Sequence, residues 1–397
     1  MTTETTEILT RQLASKRGRS TAPPAGRVEL FVGREAILSL GPAWERLIET
    51  HARPVPWLTF EAAAAALDTD RGPWSPFVAA VTSGGAPRIL VPLERRRRGP
   101  WTRIRPLGHP LARRHEPLLL PDAAAVPPAV VFGSIARRMG RGTVFDLPGM
   151  WLDSPGGRWL SEGLGQATGW RELEGPKDYD VPLHGGWSAV QASLRQSFRE
   201  RARRGQERAA RRGGIKIEIV RTRDEDELRS LFDLARRQGR QFDTPGGLLV
   251  ERFVRKAAGA GRIVLCRAFI GAELAAGMAL WVFGGVAVEL ISADEPAAEP
   301  FAPAASLGLA LLRRLVVEER TRTLILSPGH NPDTVGLCGT PRPQLRFVGA
   351  PRRGLARLAV GAAAWAGDEN HFAPALVRAA LRRVAAARSA CADLFAR

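Results

Sequence analysis

The sequence predicts an α+β protein made of two similar halves, each a mixed, mainly antiparallel sheet flanked by helices. Three observations predict it. First, "VVFGSIARRMGRGTVFDLPGM" (130–150) and "LGLALLRRLVVEERTRTLILSPGH" (307–330) repeat one order: a helix-like apolar run ending in basic residues, a short apolar strand, and a Pro-Gly pair. The pairs Pro148-Gly149 and Pro328-Gly329 are separated by a domain length, which suits a duplicated unit and not a solenoid. Second, each copy follows a meander of alternating apolar stretches joined at glycines, the pattern of antiparallel strands. Third, 397 residues at 45% hydrophobic content are enough for two or three domains with sizeable cores.

Taken in order, residues 1–26 are polar with no apolar run and read as a disordered arm. In the first half (27–180), "FVAAVTS" (77–83) and "RILVPL" (88–93) flank Gly84-Gly85, and "TVFDL" (143–147) is a strand. The glycine-rich "PGGRWLSEGLGQATGWRELEGPKD" (155–178) reads as the break between halves. In the second half (181–350), "IKIEIV" (215–220) is a strand and "DEDELRSLFDLARRQGRQF" (224–242) an amphipathic helix opened by acids. Then "RIVLCRAFI" (262–270), "ELAAGMALWVF" (273–283) and "VAVELIS" (286–292) turn at Gly271 and Gly284-Gly285 as three antiparallel strands. A helix with Pro303 in its first turn and the strand "TLILS" (323–327) follow. Residues 351–397 form a basic helical tail in which Val377, Leu381 and Val384 make an apolar stripe.

The net charge is +18 and is concentrated in three arginine-rich patches, at 88–114, 193–214 and 351–397. Such an excess implies an anionic partner: a phosphate-bearing ligand, an anionic membrane surface met through the tail, or nucleic acid. The patch "SLRQSFRERARRGQERAARRGG" (193–214) holds eight arginines against two glutamates. Leu194, Phe198 and Ala202 recur in it at four-residue spacing, so one stripe of this helix packs on the domain. A free basic region would not need that stripe, and no zipper, zinc-finger or RNA-recognition signature accompanies it, which makes nucleic acid an unlikely partner. Cys266, Cys338 and Cys391 are widely separated, with neither a disulfide framework nor a zinc spacing. They fit a reducing cytoplasm and no metal. No stretch approaches the roughly 20 apolar residues of a membrane span.

The element order of the second half resembles the GNAT acyltransferase fold. The wording of the chain is similar to the CelD-like branch, proteins associated with cellulose and exopolysaccharide synthesis that carry two such folds in tandem. The matching stretches are "DYDVPLHGGWSAVQASLRQSFRERARRGQERAARRGGIKIEIV" and "GRIVLCRAFIGAELAAGMALWVFGGVAVELISAD", with the helix from Pro303; "ILVPLERRRRGPWTRIRPLGH" and "GTVFDLPGM" match more loosely. The resemblance implies an acyl-CoA-dependent N- or O-acyltransferase with a sugar, amino sugar or cell-envelope precursor as acceptor. It implies that the sheet splays beside "VAVELIS", freeing backbone N–H groups for the donor, and that Ala304, Ala305, Ser306 and Leu307 hold its diphosphate at a helix N-terminus. The family's usual tyrosine acid has no counterpart after the fifth strand, since the only tyrosine is Tyr179. Glu289 is then the candidate base, His330 a candidate acid or base, and Ser292 a neighbour in the same cleft, while Arg195, Arg199 and Asn331 are candidate acceptor contacts. Two other readings follow from the arginine patch: a non-catalytic protein that binds an anionic polymer, and a resemblance to Fem-type transferases that take the acyl group from charged tRNA.

Overall fold

The computed structural model describes residues 27–51, 54–70, 72–109, 115–165, 167–239, 244–326 and 340–351. The N-terminal arm, the basic tail, Pro328-Gly329, His330, Asn331 and Cys338 lie outside the described residues. The first half starts with β1 (Arg27–Val32), α1 (Arg34–Leu38), α2 (Gly41–Glu49) and α3 (Phe60–Asp68). It continues through β2 (Ser75–Ser83), β3 (Ala86–Arg98), β4 (Trp101–Pro106), β5 (Leu118–Leu119), α4 (Pro128–Met139), β6 (Thr143–Trp151), α5 (Pro155–Leu164) and β7 (Trp170–Pro182). After α6 (Gly186–Ser193) and α7 (Gln196–Ala210), the same order returns: β8 (Ile215–Thr222), α8 (Glu225–Arg237), α9 (Pro245–Gly259), β9 (Ile263–Ile270), β10 (Glu273–Phe283), β11 (Val286–Asp294), α10 (Pro303–Val317), β12 (Thr323–Leu326) and β13 (Thr340–Gly349).

Local chemistry sets these boundaries. The side chains of Thr59, Asp224 and Thr244 accept N–H groups in the first turns of α3, α8 and α9, supplying partners that a helix start otherwise lacks. Glycines in positive-φ conformations turn the hairpins at Gly84-Gly85, Gly271 and Gly284-Gly285.

The strands form one sheet in the order β1-β2-β3-β4-β6-β13-β7-β12-β11-β10-β9-β8, with β5 on the side of β3. Each half contributes four antiparallel strands and a fifth that is parallel: β6 runs parallel to β4, and β12 parallel to β11. The final strands are exchanged. β7, from the first half, pairs with β12 of the second, and β13, from the second, pairs with β6 of the first. β7 and β13 pair with each other along most of their lengths, closing the two halves into one sheet. The stretch 155–178, which reads as a break in the sequence, is therefore α5 and most of β7, and residue 180 lies inside a strand. Its glycines serve packing: at Gly157 an added Cβ would come within 1.8 Å of the Trp151 carbonyl oxygen, and at Gly163 within 2.1 Å of Pro128.

Side chains alternate across the strands, so each face has its own core. Val91, Ile104, Phe145 and Phe347 pack under α4 and α5, and Cys266, Leu280, Ala287 and Leu324 under α7 and α10. The opposite face is shared: Trp44 and Ala65 from the first half join Phe232, Phe253 and Trp281 from the second. Arg262 adds ion pairs across this contact to Glu45 and Glu61, both at 2.8 Å.

At the seam, Asp146 of β6 is 1% exposed and accepts bonds from Arg346 of β13 at 2.8 and 3.0 Å and from Arg103 of β4 at 2.5 Å. Burial works to raise its carboxyl pKa, but the bonds and charges of Arg346 and Arg103 outweigh burial and hold it below the ordinary value of 3.8. A depressed carboxyl stabilises the fold above its unfolded pKa, and that stabilisation is lost as pH falls through the lower folded value. Asp146→Asn should therefore cost about 3 kcal/mol at neutral pH, since it leaves two arginines facing a neutral group. Thermal unfolding from pH 7 down to 3 should show the gap between wild type and variant narrowing in acid. A gap that stays constant would mean that the carboxylate charge is not what holds the seam.

Candidate active site

The parallel pairing of β11 with β12 covers only Val286↔Thr323, Ala287↔Leu324 and Val288↔Ile325. From Glu289 onward, the edge of β11 turned away from β10 has no strand partner among the described residues. A cavity of about 190 Å³ opens at this splay, between β10, β11, β12, α7 and α10. Glu289, Ser292, Ala304, Ala305 and Leu307 all line it.

A β-bulge puts the first two of these together. Residues three apart in a regular strand point to opposite faces. Here Ala279 pairs with Ile291 and Leu280 with Glu289, so Leu290 is an extra residue in β11. The insertion resets the alternation, and Glu289 and Ser292 face the same side. Glu289 is 6% exposed, and Ser292 is half-buried opposite Met278.

The start of α10 forms the cavity's other lip. Its N-cap, Ala302, is left-handed at φ 47° and supplies no capping side chain, and Pro303 follows. Of the four first-turn residues expected to offer N–H groups, Ala305 and Ser306 already donate to the Ala302 carbonyl oxygen, each at 3.2 Å. The N–H of Leu307 lies inside the helical ladder, and its side chain faces the cavity. The expectation of four donors is thus corrected: the Ala304 N–H is the first-turn donor with no acceptor among the described residues. The Ser306 side chain is 1% exposed, its hydroxyl points toward the Ala202 carbonyl oxygen at 3.5 Å, and it does not line the cavity.

Helix α7 supports this lip. Phe198, Ala202, Gly205 and Ala209 form its buried stripe, with the arginines outside it, whereas Leu194, expected on the same stripe, is buried in an extended conformation before the helix begins, because α6 ends at Ser193. Gly205 is required for contact, because a Cβ there would sit 2.1 Å from the Phe301 carbonyl oxygen and 3.0 Å from the Ala302 methyl. Arg195 and Arg199 are exposed and neither lines the cavity. The arginine that does is Arg201, which also lies 3.7 Å from Glu299. Its place was readable from its position three residues after Phe198, on the flank of the buried stripe.

The strand exchange also brings in a residue that sequence distance concealed. Tyr179 of β7 is paired directly with Leu326 of β12, and opposed residues of an antiparallel pair project to the same face. Leu326 lines the cavity. The chain's only tyrosine therefore stands beside the splay. Cys266 does not take part: it is fully buried, and burial pushes its thiol pKa far up.

Among the described residues, the first half shows no equivalent opening. Beyond Ile104↔Phe145 the chain folds back into the space beside β4: Leu107 donates to Pro92, His115 to Gly149, and β5 pairs with β3. About 20 Å³ remains there, against about 190 Å³ in the second half. Among the described residues no group of three or more His, Cys, Asp or Glu is placed to hold a metal, and no helix is long and apolar enough to cross a membrane.

No curated protein matches the chain. Among solved structures it is similar to FemX, at 11% identity and a TM-score of 0.53 over 76% of this chain and 89% of that one. It is also similar to a conserved protein of unknown function from Bacteroides thetaiotaomicron, at 10% identity and a TM-score of 0.53 over 78% and 97%. A tandem GNAT protein from the clavulanic acid biosynthesis pathway aligns at 14% identity and a TM-score of 0.45 over 83% and 100%. Residues 196–332, which run from α7 through β12 and include the whole cavity, match the acetyltransferase (GNAT) domain family. The fold is α+β with two GNAT-like units in tandem, and the match to the acetyltransferase (GNAT) domain family lies in the second unit.

Proposed function

We propose that the second half is a cytoplasmic acyl-CoA-dependent acyltransferase that acylates an amine or hydroxyl of a sugar, amino sugar or cell-envelope precursor. The observation that carries the donor side is the cavity at the β11–β12 splay, with a polar mouth and a helix N-terminus at its lip. Its residues fit a CoA thioester. The unpaired Ala304 N–H and the positive end of α10 suit a diphosphate, and the small side chains of Ala302, Ala304 and Ala305 let phosphates approach. Arg201 adds a cation at the same mouth.

Bound there, acyl-CoA supplies a thioester carbonyl carbon, to which the acceptor nitrogen or oxygen bonds as the carbon–sulfur bond breaks. The chain's own groups manage charge and protons. The backbone N–H groups on the unpartnered edge of β11 stabilise negative charge on the carbonyl oxygen. Glu289 receives the proton lost by the attacking group, and Ser292, on the same face, orients the acceptor. The Tyr179 hydroxyl returns a proton to the departing sulfur, which the exchanged β7 makes possible. The acceptor class rests on the resemblance to the CelD-like branch, and Arg195 and Arg199, exposed at the start of α7 outside the cavity, are read as contacts to an anionic acceptor.

Calorimetric titration with CoA and acetyl-CoA tests the donor side. Ala305→Asp should weaken binding at least about tenfold, because a carboxylate at this lip brings like charge and bulk to the phosphates. Equal affinity in the variant, with the circular dichroism spectrum intact, would rule out the α10 terminus as the phosphate site. For the chemistry, Glu289→Gln and Tyr179→Phe should each lower kcat roughly 100-fold while leaving the donor Kd unchanged. A loss of donor affinity in place of turnover would assign either residue to binding.

A further inference from the structure

The cavity reaches beyond what a two-carbon acyl group needs. Its mouth is polar, with Arg201, Glu289 and Ser292, but its interior walls are hydrocarbon: Phe198 from α7, Leu280 from β10, Leu311 and Leu312 from α10, and Leu324 and Leu326 from β12. Those six side chains are all at least nine-tenths buried. An apolar cavity of about 150 Å³ is large enough to take up benzene, so one of about 190 Å³ accommodates a body of at least six carbons. A space of this size beneath α10 is also not a general feature of the fold in this chain, since the corresponding region of the first half retains only about 20 Å³.

We propose that this interior receives the hydrocarbon tail of the donor, so that the group transferred is an aliphatic acyl chain of about six to eight carbons and not acetyl. The inference rests on the acyltransferase reading above and specifies its donor. Thioester and phosphates remain at the polar mouth, where the splay and the α10 terminus offer N–H groups, and the tail lies among the leucines. Each methylene transferred from water into such surroundings tightens binding roughly fourfold, so affinity rises with chain length until the cavity is full.

Gly308 of α10 provides a way to shorten the cavity without disturbing the fold. It lines the interior, and a Cβ added there meets only Phe198 Cζ, at 3.4 Å. Gly308→Ala is therefore accommodated and also favours the helix, and Gly308→Leu fills the space further. Full-length wild type and both variants are titrated calorimetrically with CoA, acetyl-CoA, hexanoyl-CoA and octanoyl-CoA, with the melting temperature of each variant as the folding control. Wild type should bind octanoyl-CoA at least about tenfold more tightly than acetyl-CoA. Gly308→Leu should remove that advantage while keeping the acetyl-CoA Kd within about twofold, and Gly308→Ala should fall between the two. If Gly308→Leu fails to fold, the partial loss in Gly308→Ala decides. Equal wild-type affinity for acetyl- and octanoyl-CoA would overturn the inference and leave the acyltransferase reading standing. So would an equal weakening of all four ligands by Gly308→Leu, which would place the pantetheine arm in the interior. Failure of every CoA species to bind would overturn the acyltransferase reading itself, and this inference with it.

Discussion

The antiparallel pairing of β7 with β13 is the contact on which the rest of the molecule depends. Each of these strands ends one half of the chain and completes the sheet of the other, so the halves cannot separate without breaking two ladders each. The pairing is reinforced by charge. Arg346 of β13 reaches Asp146 on β6, and Arg342 bridges Asp153 and Asp180 while its guanidinium stacks 3.7 Å from the Trp151 ring. Arginine suits both positions, because its planar group can accept a face-on ring contact while its N–H groups serve carboxylates. The exchange also has a consequence for the site. β7 delivers Tyr179 to the edge of β12, giving the second half a phenolic hydroxyl that its own stretch of sequence does not contain.

Duplication followed by unequal use explains the asymmetry of the halves. Both have a parallel pair in which a cleft can open, β4 with β6 and β11 with β12. In the first, Leu118 and Leu119 are drawn onto β3, and the His115 N–H donates to the Gly149 carbonyl oxygen of β6. That half gains core and loses access. In the second, the place beside β11 is left open and α7 closes the rear of the cavity instead, with Gly205 letting it approach the α10 lip. The two halves are joined through the shared core around Trp44, Phe253 and Trp281.

The strands that bury alternating apolar residues were legible from the sequence: "FVAAVTS", "RIVLCRAFI", "ELAAGMALWVF" and "VAVELIS" all lie in strands, and the two-half order is present. Phe198 and Ala202 were legible as one buried stripe as well, since helical periodicity is a local property, but Leu194 precedes the helix in an extended conformation and its four-residue spacing is not helical. β7 was not. "WRELEGPKDYDVP" contains a glycine, two prolines and six charged residues, and it becomes a strand only because β12 and β13 pair with it on both sides. β13 was missed for the same reason, as two prolines lie in "TPRPQLRFVG". The count of first-turn donors at α10 could not be read either. It depends on how Ala302 turns, and alanine gives no sign of the left-handed conformation usually left to glycine.

The pairing of Glu289 with Ser292 shows how a site can depend on an irregularity. Their three-residue spacing would ordinarily separate them across the sheet, and a purely alternating reading of "VAVELIS" would place one of them in the shared core. Leu290 prevents this by standing outside the ladder between Ala279 and Leu280. Its cost is one unpaired position and a local twist, which a strand edge already freed from β12 tolerates better than a strand paired on both sides. The splay and the bulge are therefore connected. β11 can carry the extra residue because its partner departs at Val288, and the extra residue turns Glu289 and Ser292 together into the space that the departure opens.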